Sequence, residues 1–233
     1  MEAIVLAGGF GTRLQTVVSE VPKSMALING RPFLEYLLDY LIMQGVSRVV
    51  LSVGYKREII TGHFKDGYRS LPIEYAVEEE PLGTGGGIRL ALWKIRGERA
   101  VILNGDSMFR TDLGALENAH LFKKADVTLA LRKLQNTGRY GRVTLNRQKR
   151  ITGFEEKNQG AGPGLINAGI YIMEKLYLME PHFRGKFSIE KDCFERFYGT
   201  SRIFGFPARG YFLDIGIPMD YLKAQDEFKG FKD

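Results

Sequence analysis

The first half of the sequence alternates short apolar segments with segments in which apolar residues recur at helical spacing. The apolar segments predict strands over residues 3–6, 48–53, 73–77 and 100–103. Between the first two, apolar residues recur every three or four positions over 33–42, with Pro32 suited to the first helical turn and Gly45 to the end. This alternation predicts an α/β fold whose sheet carries helices on both faces.

From residue 126 onward the pattern changes to β-rich segments separated by glycine-containing turns. Strands are predicted over residues 126–131, 142–145, 151–154, 165–173, 202–206 and 211–213, and helices over 188–197 and from Pro218 onward. The stretch 158–164 holds three glycines and Pro163, a composition typical of a mobile loop over a pocket. The β-rich half is therefore expected to shape a second substrate pocket.

The amino-acid composition argues against several classes of protein. A chain of 233 residues with 44% hydrophobic content can bury a full core. Its single cysteine excludes an internal disulfide and a Cys-rich zinc site, and its three histidines are too scattered to suggest a transition-metal centre. No apolar run reaches the roughly 18 to 20 residues of a membrane span, and the start shows no basic leader. We expect a cytoplasmic protein without a membrane partner.

The net charge of +6 raises the question of nucleic-acid binding. Lys and Arg residues are spread along the chain without a basic run or a Cys-His finger pattern. A small anionic substrate accounts for the charge equally well, and we expect no nucleic-acid partner.

A glycine-rich segment, LAGGFGTRL, directly follows the first predicted strand. Gly8, Gly9 and Gly11 would let the backbone approach phosphates and direct N–H groups at them. The segment is not a P-loop, because no Gly-Lys-Ser/Thr follows, and it lacks the third glycine of the dinucleotide fingerprint. Arg13 and Lys23 add a forked and a point-like cation that would balance phosphate charge. The alternative is a tight strand-to-helix turn with two solvated cations.

Two aspartates stand where a metal site is expected. Asp106, in LNGDSMF, follows the strand predicted over 100–103, and Asp214, in FLDIGIP, follows the one over 211–213. Ligands commonly bind outside the carboxyl ends of strands in such sheets. Two carboxylates with phosphate and water oxygens suit Mg²⁺, which prefers octahedral oxygen coordination. The alternative is that each aspartate caps a turn, the role we expect for Asp112.

The segment LAGGFGTRL, followed by VPKSMALINGRPFLEYLL, strongly resembles the nucleotidyltransferase family that activates sugar 1-phosphates, and the resemblance extends to nearly the last residue. It implies a single domain with a Rossmann-like mixed, mostly parallel sheet, in which about residues 1–110 bind the nucleotide and about 111–233 bind the sugar phosphate. It implies catalytic roles for Arg13, Lys23 and Asp106, and Mg²⁺ bound by Asp106 and Asp214. Nucleotide contacts are implied for Leu6, Ala7, Gly8, Gly9, Gly11, Thr12, Glu78, Pro81, Gly83 and Thr84.

The segment VEEEPLGTGGGIRLAL resembles the base-reading loop of that family. Glu78 falls where relatives place a base-contacting side chain, and its carboxylate would match the N1–H and amino donors of guanine. Guanine is therefore the expected base. Glu79 and Glu80 are adjacent alternatives, backbone groups can also read a base, and three acidic residues in a row are also typical of a solvated turn.

Three later clusters, RYGRV, FEEKN and INAGIY, match sugar-pocket elements of the family in the same order. The resemblance places Gly141, Glu156, Lys157, Asn167 and Gly169 around the sugar phosphate. Glu156 would accept hydrogen bonds from sugar hydroxyls, and Lys157 would neutralise the incoming phosphate. A solvated surface pair is the alternative for these two residues. Asn158 stands where many relatives have proline, so the loop beside the sugar departs from the family pattern.

Together these residues predict an enzyme that joins a nucleoside triphosphate, with GTP expected, to a sugar 1-phosphate and releases pyrophosphate. Within the family the sequence looks most similar to bacterial guanylyltransferases of D-glycero-D-manno-heptose 1-phosphate, with mannose-1-phosphate guanylyltransferases nearby. Uridylyl, cytidylyl or thymidylyl transfer to a hexose 1-phosphate is the enzymatic alternative. A non-catalytic nucleotide-sugar sensor and a nucleic-acid-binding module are alternatives of other classes. The expected partners are the two substrates, and the sequence leaves a homo-oligomer open.

Overall fold

The computed structural model describes residues 1–9, 14, 18–155 and 162–231. Its strands are β1 (Glu2–Leu6), β2 (Leu27–Ile28), β3 (Arg31–Pro32), β4 (Arg48–Val53), β5 (Gly67–Tyr68), β6 (Leu71–Val77), β7 (Arg99–Asn104), β8 (Ser107–Phe109), β9 (Val127–Leu134), β10 (Arg142–Leu145), β11 (Ile151–Glu155), β12 (Gly164–Glu174), β13 (Ile203–Ala208) and β14 (Phe212–Asp214). Its α-helices are α1 (Phe33–Met43), α2 (Arg57–Phe64), α3 (Gly83–Leu92), α4 (Leu113–Lys123), α5 (Glu195–Phe197) and α6 (Pro218–Glu227). Shorter helical segments are the 3₁₀ turns Lys23–Met25, Lys175–Met179 and Phe228–Gly230 and the π-helical segment Ile189–Phe194. Within these ranges no helix combines the length and the apolar content needed to cross a membrane.

Four parallel strands form the centre of the sheet. β1 pairs with β4 on one side and with β7 on the other, and β6 extends the parallel set beyond β4. The chain therefore builds outward from β1 to β6 and then returns to the opposite side of β1 at β7. This reversal of strand order opens a crevice at the carboxyl ends of β1 and β7, where ligands commonly bind in such sheets.

The β-rich half is joined to this centre through β12. That strand pairs antiparallel with β7, and along its length also with β9 and β10. β11 pairs with β10, and β13 lies parallel to β9. Strands from both halves of the chain thus form one continuous sheet, which fixes the second half directly against the first.

Apolar side chains cover both faces of the sheet. Because successive side chains on a strand point to opposite faces, Ala3 and Val5 pack in the same cluster as Leu37 of α1, whereas Ile4 packs in the cluster of Ile88 of α3. All five side chains are fully buried. The sheet therefore carries helices on both faces, and the predicted fold class is confirmed.

The predicted elements differ from the observed ones mainly at their ends. The strands over 48–53 and 142–145 have the predicted bounds, and the other predicted strands shift by one to three residues at an end. Such shifts are expected because the hydrophobic pattern locates the centre of a strand, whereas pairing with a neighbour decides where it stops.

One assignment made from the sequence is wrong. Pro32 has an extended backbone and pairs with Leu27 in a short hairpin, so it precedes α1 instead of lying in its first turn. Gly164, predicted as the end of the loop over 158–164, pairs with Leu134 as the first residue of β12, and residues 158–161 lie outside the described ranges. The helix predicted over 188–197 is confirmed over 189–197, and most of it is π-helical.

Candidate active site

A cavity of about 670 Å³ opens at the carboxyl ends of the four parallel strands. Its volume is in the range of sites that hold a small-molecule ligand. Its described wall consists of Leu6, Ala7, Gly8, Gly9, Lys23, Ser24, Gly54, Tyr55, Arg57, Glu78, Glu79, Glu80, Pro81, Gly83, Thr84, Asn104, Gly105, Asp106 and Gly216. Each of the strands β1, β4, β6 and β7 thus contributes the residues at or just beyond its end.

Lys23 lies between two carboxylates at one end of this cavity. Its Nζ atom is 2.5 Å from Asp106 Oδ2 and 3.7 Å from Asp214 Oδ1. The lysine side chain is only 11% exposed, whereas those of Asp106 and Asp214 are 34% and 19% exposed. A desolvated ammonium held by two carboxylates is a fixed charge that requires no rearrangement before it acts on a ligand.

The fold brings these three residues together from distant parts of the chain. Lys23 begins a 3₁₀ turn directly after Pro22. Asp106 lies in the tight turn between β7 and β8, and Asp214 is the last residue of β14, which pairs with β8 so that Asp214 lies opposite Ser107. Asp214 is therefore part of a strand, whereas the sequence placed it just beyond one.

The same carboxylates also make the turn contacts that the alternative interpretation predicts. Ser107 Oγ donates to Asp106 Oδ1 at 3.1 Å, and the Gly216 N–H donates to Asp214 Oδ1 at 2.6 Å. These bonds orient each carboxylate and leave its ion pair with Lys23 in place. Asp112, expected to be a turn residue, is instead the N-cap of α4, where its Oδ1 accepts from the Ala115 N–H at 2.8 Å.

The donor set of the Lys23 end suits a hard divalent cation. Asp106 and Asp214 both place a carboxylate oxygen within 4 Å of one ammonium, so the space between them already holds a cation. Within the described ranges no cluster of three or more His, Cys, Asp or Glu side chains could form a metal cage. Two carboxylates suffice for Mg²⁺, which commonly completes its octahedral shell with substrate and water oxygens.

Glu78 lines the cavity just beyond the end of β6, and hydrogen bonds from the protein hold its carboxylate in place. Oε1 accepts from Ser52 Oγ at 3.0 Å, and Oε2 accepts from the Leu82 N–H at 3.0 Å, one residue before α3. A Cβ atom on Gly87 would lie 2.7 Å from Oε1, so α3 also fits closely against this carboxylate. Glu78 therefore holds the loop 78–82 in shape, while Glu79 and Glu80 are exposed residues of the cavity wall.

Gly83 and Thr84 are fixed by contacts with the second half of the chain. Gly83 has a φ of +71°, and a Cβ atom there would lie 2.5 Å from the Phe187 carbonyl oxygen. Thr84 Oγ1 donates to Glu190 Oε2 and accepts from the Ile189 N–H, at 3.0 and 2.9 Å. The start of α3 is consequently anchored where it borders the cavity.

Of the residues predicted for the sugar, Gly141, Asn167 and Gly169 are described, and none of them lies on the described wall of the cavity. Asn167 donates to the Tyr171 hydroxyl and accepts from the Gly169 N–H, across the bulge where β12 changes register. Gly169 has a φ of +76°, and a Cβ atom there would lie 2.9 Å from Asn104 Nδ2. Gly169 thus fits closely against Asn104 of the wall, and the contact of either residue with a sugar stays a prediction.

Gly141 directly precedes β10 and follows Tyr140, whose ring packs edge-on against Phe212. Burial, together with the negative charge of Asp214, raises the pKa of Tyr140 to about 12. The phenol therefore stays protonated at neutral pH, and it is a hydrogen-bond donor near the Lys23 end.

Five of the predicted residues, Gly11, Thr12, Arg13, Glu156 and Lys157, lie outside the described ranges. Sequence reasoning missed Gly54, Tyr55, Arg57, Ser24, Asn104, Gly105 and Gly216 on the described wall. The first three follow the end of β4, so the strand-end rule that located Asp106 would have found them. Gly216 belongs to the Asp-x-Gly motif and was passed over because its backbone, not a side chain, makes the contact.

The chain is similar in sequence and in structure to several known proteins. The nucleotidyl transferase family matches residues 2–229. The chain is 45% identical over 231 residues to the D-glycero-alpha-D-manno-heptose 1-phosphate guanylyltransferase of Aneurinibacillus thermoaerophilus, covering 99% of this chain and 100% of that one. The Campylobacter jejuni protein of the same name is 40% identical, with 95% and 97% covered. Crystalline HddC from Yersinia pseudotuberculosis, complexed with GMP-PN, superposes with a TM-score of 0.86 at 37% identity, covering 97% of this chain and 99% of that one.

Proposed function

The chain belongs to the nucleotidyl transferase family, and we propose that it transfers a guanylyl group from GTP to D-glycero-α-D-manno-heptose 1-phosphate, with release of pyrophosphate. The observation that supports this reaction is the arrangement of charged side chains at the Lys23 end of the cavity. There an ammonium and two carboxylates lie beside the glycine-rich end of β1. Nucleotidyl transfer needs this combination of phosphate-binding backbone, fixed cation and metal-binding oxygens.

The proposed reaction is an in-line displacement at the α-phosphorus of the triphosphate. An oxygen of the sugar phosphate forms the new P–O bond, and the bond to the β-phosphate bridging oxygen breaks as pyrophosphate leaves. The nucleophile is already an anion near neutral pH, so no side chain is needed to remove a proton from it. Lys23 stabilises the charge that develops on the transferred and leaving groups, a role that Arg13 is proposed to share.

Members of the family generally use a divalent metal ion, and we propose Mg²⁺ held by Asp106 and Asp214. When bound, the ion would neutralise charge on phosphate oxygens and help to align the reacting groups. The two carboxylates are themselves oriented by hydrogen bonds, from Ser107 Oγ to Asp106 and from the Gly216 N–H to Asp214.

The preference for guanine is supported by the negative charge on the cavity wall just beyond the end of β6. Glu78, Glu79 and Glu80 follow one another there. A carboxylate facing guanine accepts hydrogen bonds from N1–H and the amino group, whereas uracil or thymine would present carbonyl oxygens that it repels. The preference for heptose is supported by the names of the two relatives that are 45% and 40% identical.

A pyrophosphate-release assay across four triphosphates and several sugar 1-phosphates tests the proposal. We expect turnover with GTP and the heptose 1-phosphate to exceed that with UTP, CTP or dTTP by at least about tenfold in kcat/KM. Equal or better use of a pyrimidine triphosphate would contradict the base assignment. Faster turnover of mannose 1-phosphate with GTP would contradict only the sugar assignment.

Gly216→Ala tests whether the spacing between Lys23 and Asp214 matters for the reaction. A Cβ atom at this position would lie 2.6 Å from Asp214 Oδ1 and 2.9 Å from Lys23 Nζ, so both charges must shift. We expect kcat to fall about tenfold with little change in thermal stability, because misplacement of catalytic groups by a fraction of an ångström is costly. Gly199→Ala, where a Cβ atom meets nothing within 4 Å, is the matched control and should keep full activity. Unchanged kcat in Gly216→Ala would argue against a catalytic role for the Lys23–Asp214 pair.

A further inference from the structure

The two ends of the cavity differ in charge and therefore in what each can hold. Strand order places the ends of β7, β1, β4 and β6 side by side, which spreads the cavity over about 14 Å. Lys23 and Asp106 lie in the half bordered by β7 and β1, where phosphates are favoured. Glu78 lies between the halves, because a Cβ atom on Gly8 would be 3.3 Å from its Oε1 atom. Glu79 and Glu80 follow it in the half bordered by β4 and β6, where they repel phosphates and leave room for the base.

One cation lies among these glutamates. Arg57 is the first residue of α2, just beyond the end of β4, and it lines the cavity. Its Nη1 atom is 3.0 Å from Glu79 Oε2. Arg57 and Lys23 are the two cationic side chains in the described part of the cavity wall, and they stand in opposite halves of it. Arg57 is therefore remote from the end proposed for the reacting phosphates.

We propose that Arg57 reads the base by donating two hydrogen bonds to the O6 and N7 acceptors of guanine, an inference that rests on the proposed use of GTP. A guanidinium presents parallel N–H donors that match these two acceptors, and this is the commonest specific contact between arginine and guanine. Pyrimidines lack an N7 acceptor, and adenine pairs N7 with an amino donor. Arg57 thus selects guanine over adenine and over the pyrimidines.

The neighbouring carboxylates fit this assignment. Glu78 is braced by Ser52 and Leu82, whereas the Glu79 side chain is 77% exposed and pairs with Arg57. In guanine the O6 atom stands between N7 and the N1–H and amino donors. An Arg57–Glu79 pair in the plane of the base therefore places donors opposite O6 and N7 and acceptors opposite N1–H and the amino group. The Arg57 side chain is 40% exposed, so little of it is held by packing. The ion pair with Glu79 therefore orients its guanidinium.

The test compares GTP with 7-deazaguanosine triphosphate, in which a C–H group replaces N7. With the unaltered enzyme we expect the analogue to lower kcat/KM about tenfold, the effect of one charge-assisted hydrogen bond. Arg57→Ala should lower kcat/KM for GTP by about tenfold to 100-fold, and the further penalty for the analogue should disappear. Arg57→Lys keeps the charge without the fork, so it should recover only part of the lost activity and little of the discrimination.

Arg96→Ala is the matched control, because Arg96 is exposed and lies outside the described wall of the cavity, and it should keep the full penalty for the analogue. Circular dichroism of each variant reports folding, which a change at an exposed arginine should preserve. The proposal is overturned if Arg57→Ala retains the analogue penalty. If GTP and analogue activity then fall by the same factor, the guanidinium acts on the ribose or a phosphate instead of on N7. An unaltered enzyme that does not use GTP would instead contradict the proposed function itself.

Discussion

Asp106→Asn is expected to lower kcat/KM by at least about 100-fold and to leave the protein folded. The substitution keeps the size of the side chain but removes the negative charge that lies 2.5 Å from Lys23 Nζ. A neutral amide is a poor ligand for Mg²⁺, and even changes behind a metal's direct ligands commonly cost about 10- to 100-fold. The side chain is 34% exposed, so its amide form can be hydrated and the fold need not change.

The measurement is steady-state pyrophosphate release as a function of Mg²⁺ concentration. The variant should need more Mg²⁺ for half-maximal activity, and Asp214→Asn should shift this requirement in the same direction. Asp112→Asn is the control, because asparagine caps a helix as well as aspartate does and Asp112 lies outside the cavity. Near-normal turnover of Asp106→Asn at limiting Mg²⁺ would rule out the assignment of Asp106 as a metal ligand.

Much of this architecture follows from the order of strands and helices in the sequence. Parallel strands are buried on both faces, so their apolar segments are easily recognised, and their carboxyl ends meet on one edge of the sheet. In the sequence that rule was applied to Asp106 and Asp214; in the structure Asp106 and Gly8, which both follow parallel strands, line one cavity. The matched family confirms the resemblance that the glycine-rich segment and the Pro-Lys pair indicated.

The contacts made by individual side chains could not be predicted in this way. The position of Glu78 after β6 predicts that it borders the cavity, but its hydrogen bond to Ser52 depends on the register of β6 against β4. Asn167 is predicted to contact the sugar because INAGIY resembles a sugar-pocket element of the family. In the structure its amide bridges a bulge in β12, a feature with no signature in the sequence.

Arg57 was missed for a different reason. It belongs to no motif, and a lone arginine at the start of a helix is usually solvated. The role proposed for it depends on its ion pair with Glu79, which lies on a different loop. The two side chains meet only because β4 and β6 are neighbours in the sheet. Function of this kind is encoded in pairs of residues that topology brings together, so it becomes visible only when strand order is known.

Lys23→Ala is expected to lower kcat by about 100- to 1,000-fold, the typical cost of removing one preorganised group that stabilises developing charge. Its interaction should strengthen as negative charge accumulates on the departing pyrophosphate, so the loss should appear in kcat and much less in the KM for GTP. The ammonium is only 11% exposed, so water would replace it poorly.

Removing Lys23 also leaves the carboxylates of Asp106 and Asp214 facing each other without the cation that now separates them. Lys23→Met, which keeps the length of the side chain, therefore distinguishes lost charge from lost volume, and both variants should show the same fall in kcat. Repulsion between the Asp106 and Asp214 carboxylates should favour binding of a divalent cation, so the Mg²⁺ concentration that either variant needs should not rise, in contrast to that of Asp106→Asn.

Lys229→Ala is the control for these variants. Its side chain is 67% exposed, and this variant should behave as the unaltered enzyme does. A rise in KM with kcat preserved would mean that Lys23 binds the substrate without stabilising the transition state. The catalytic role proposed for Lys23 would then be wrong.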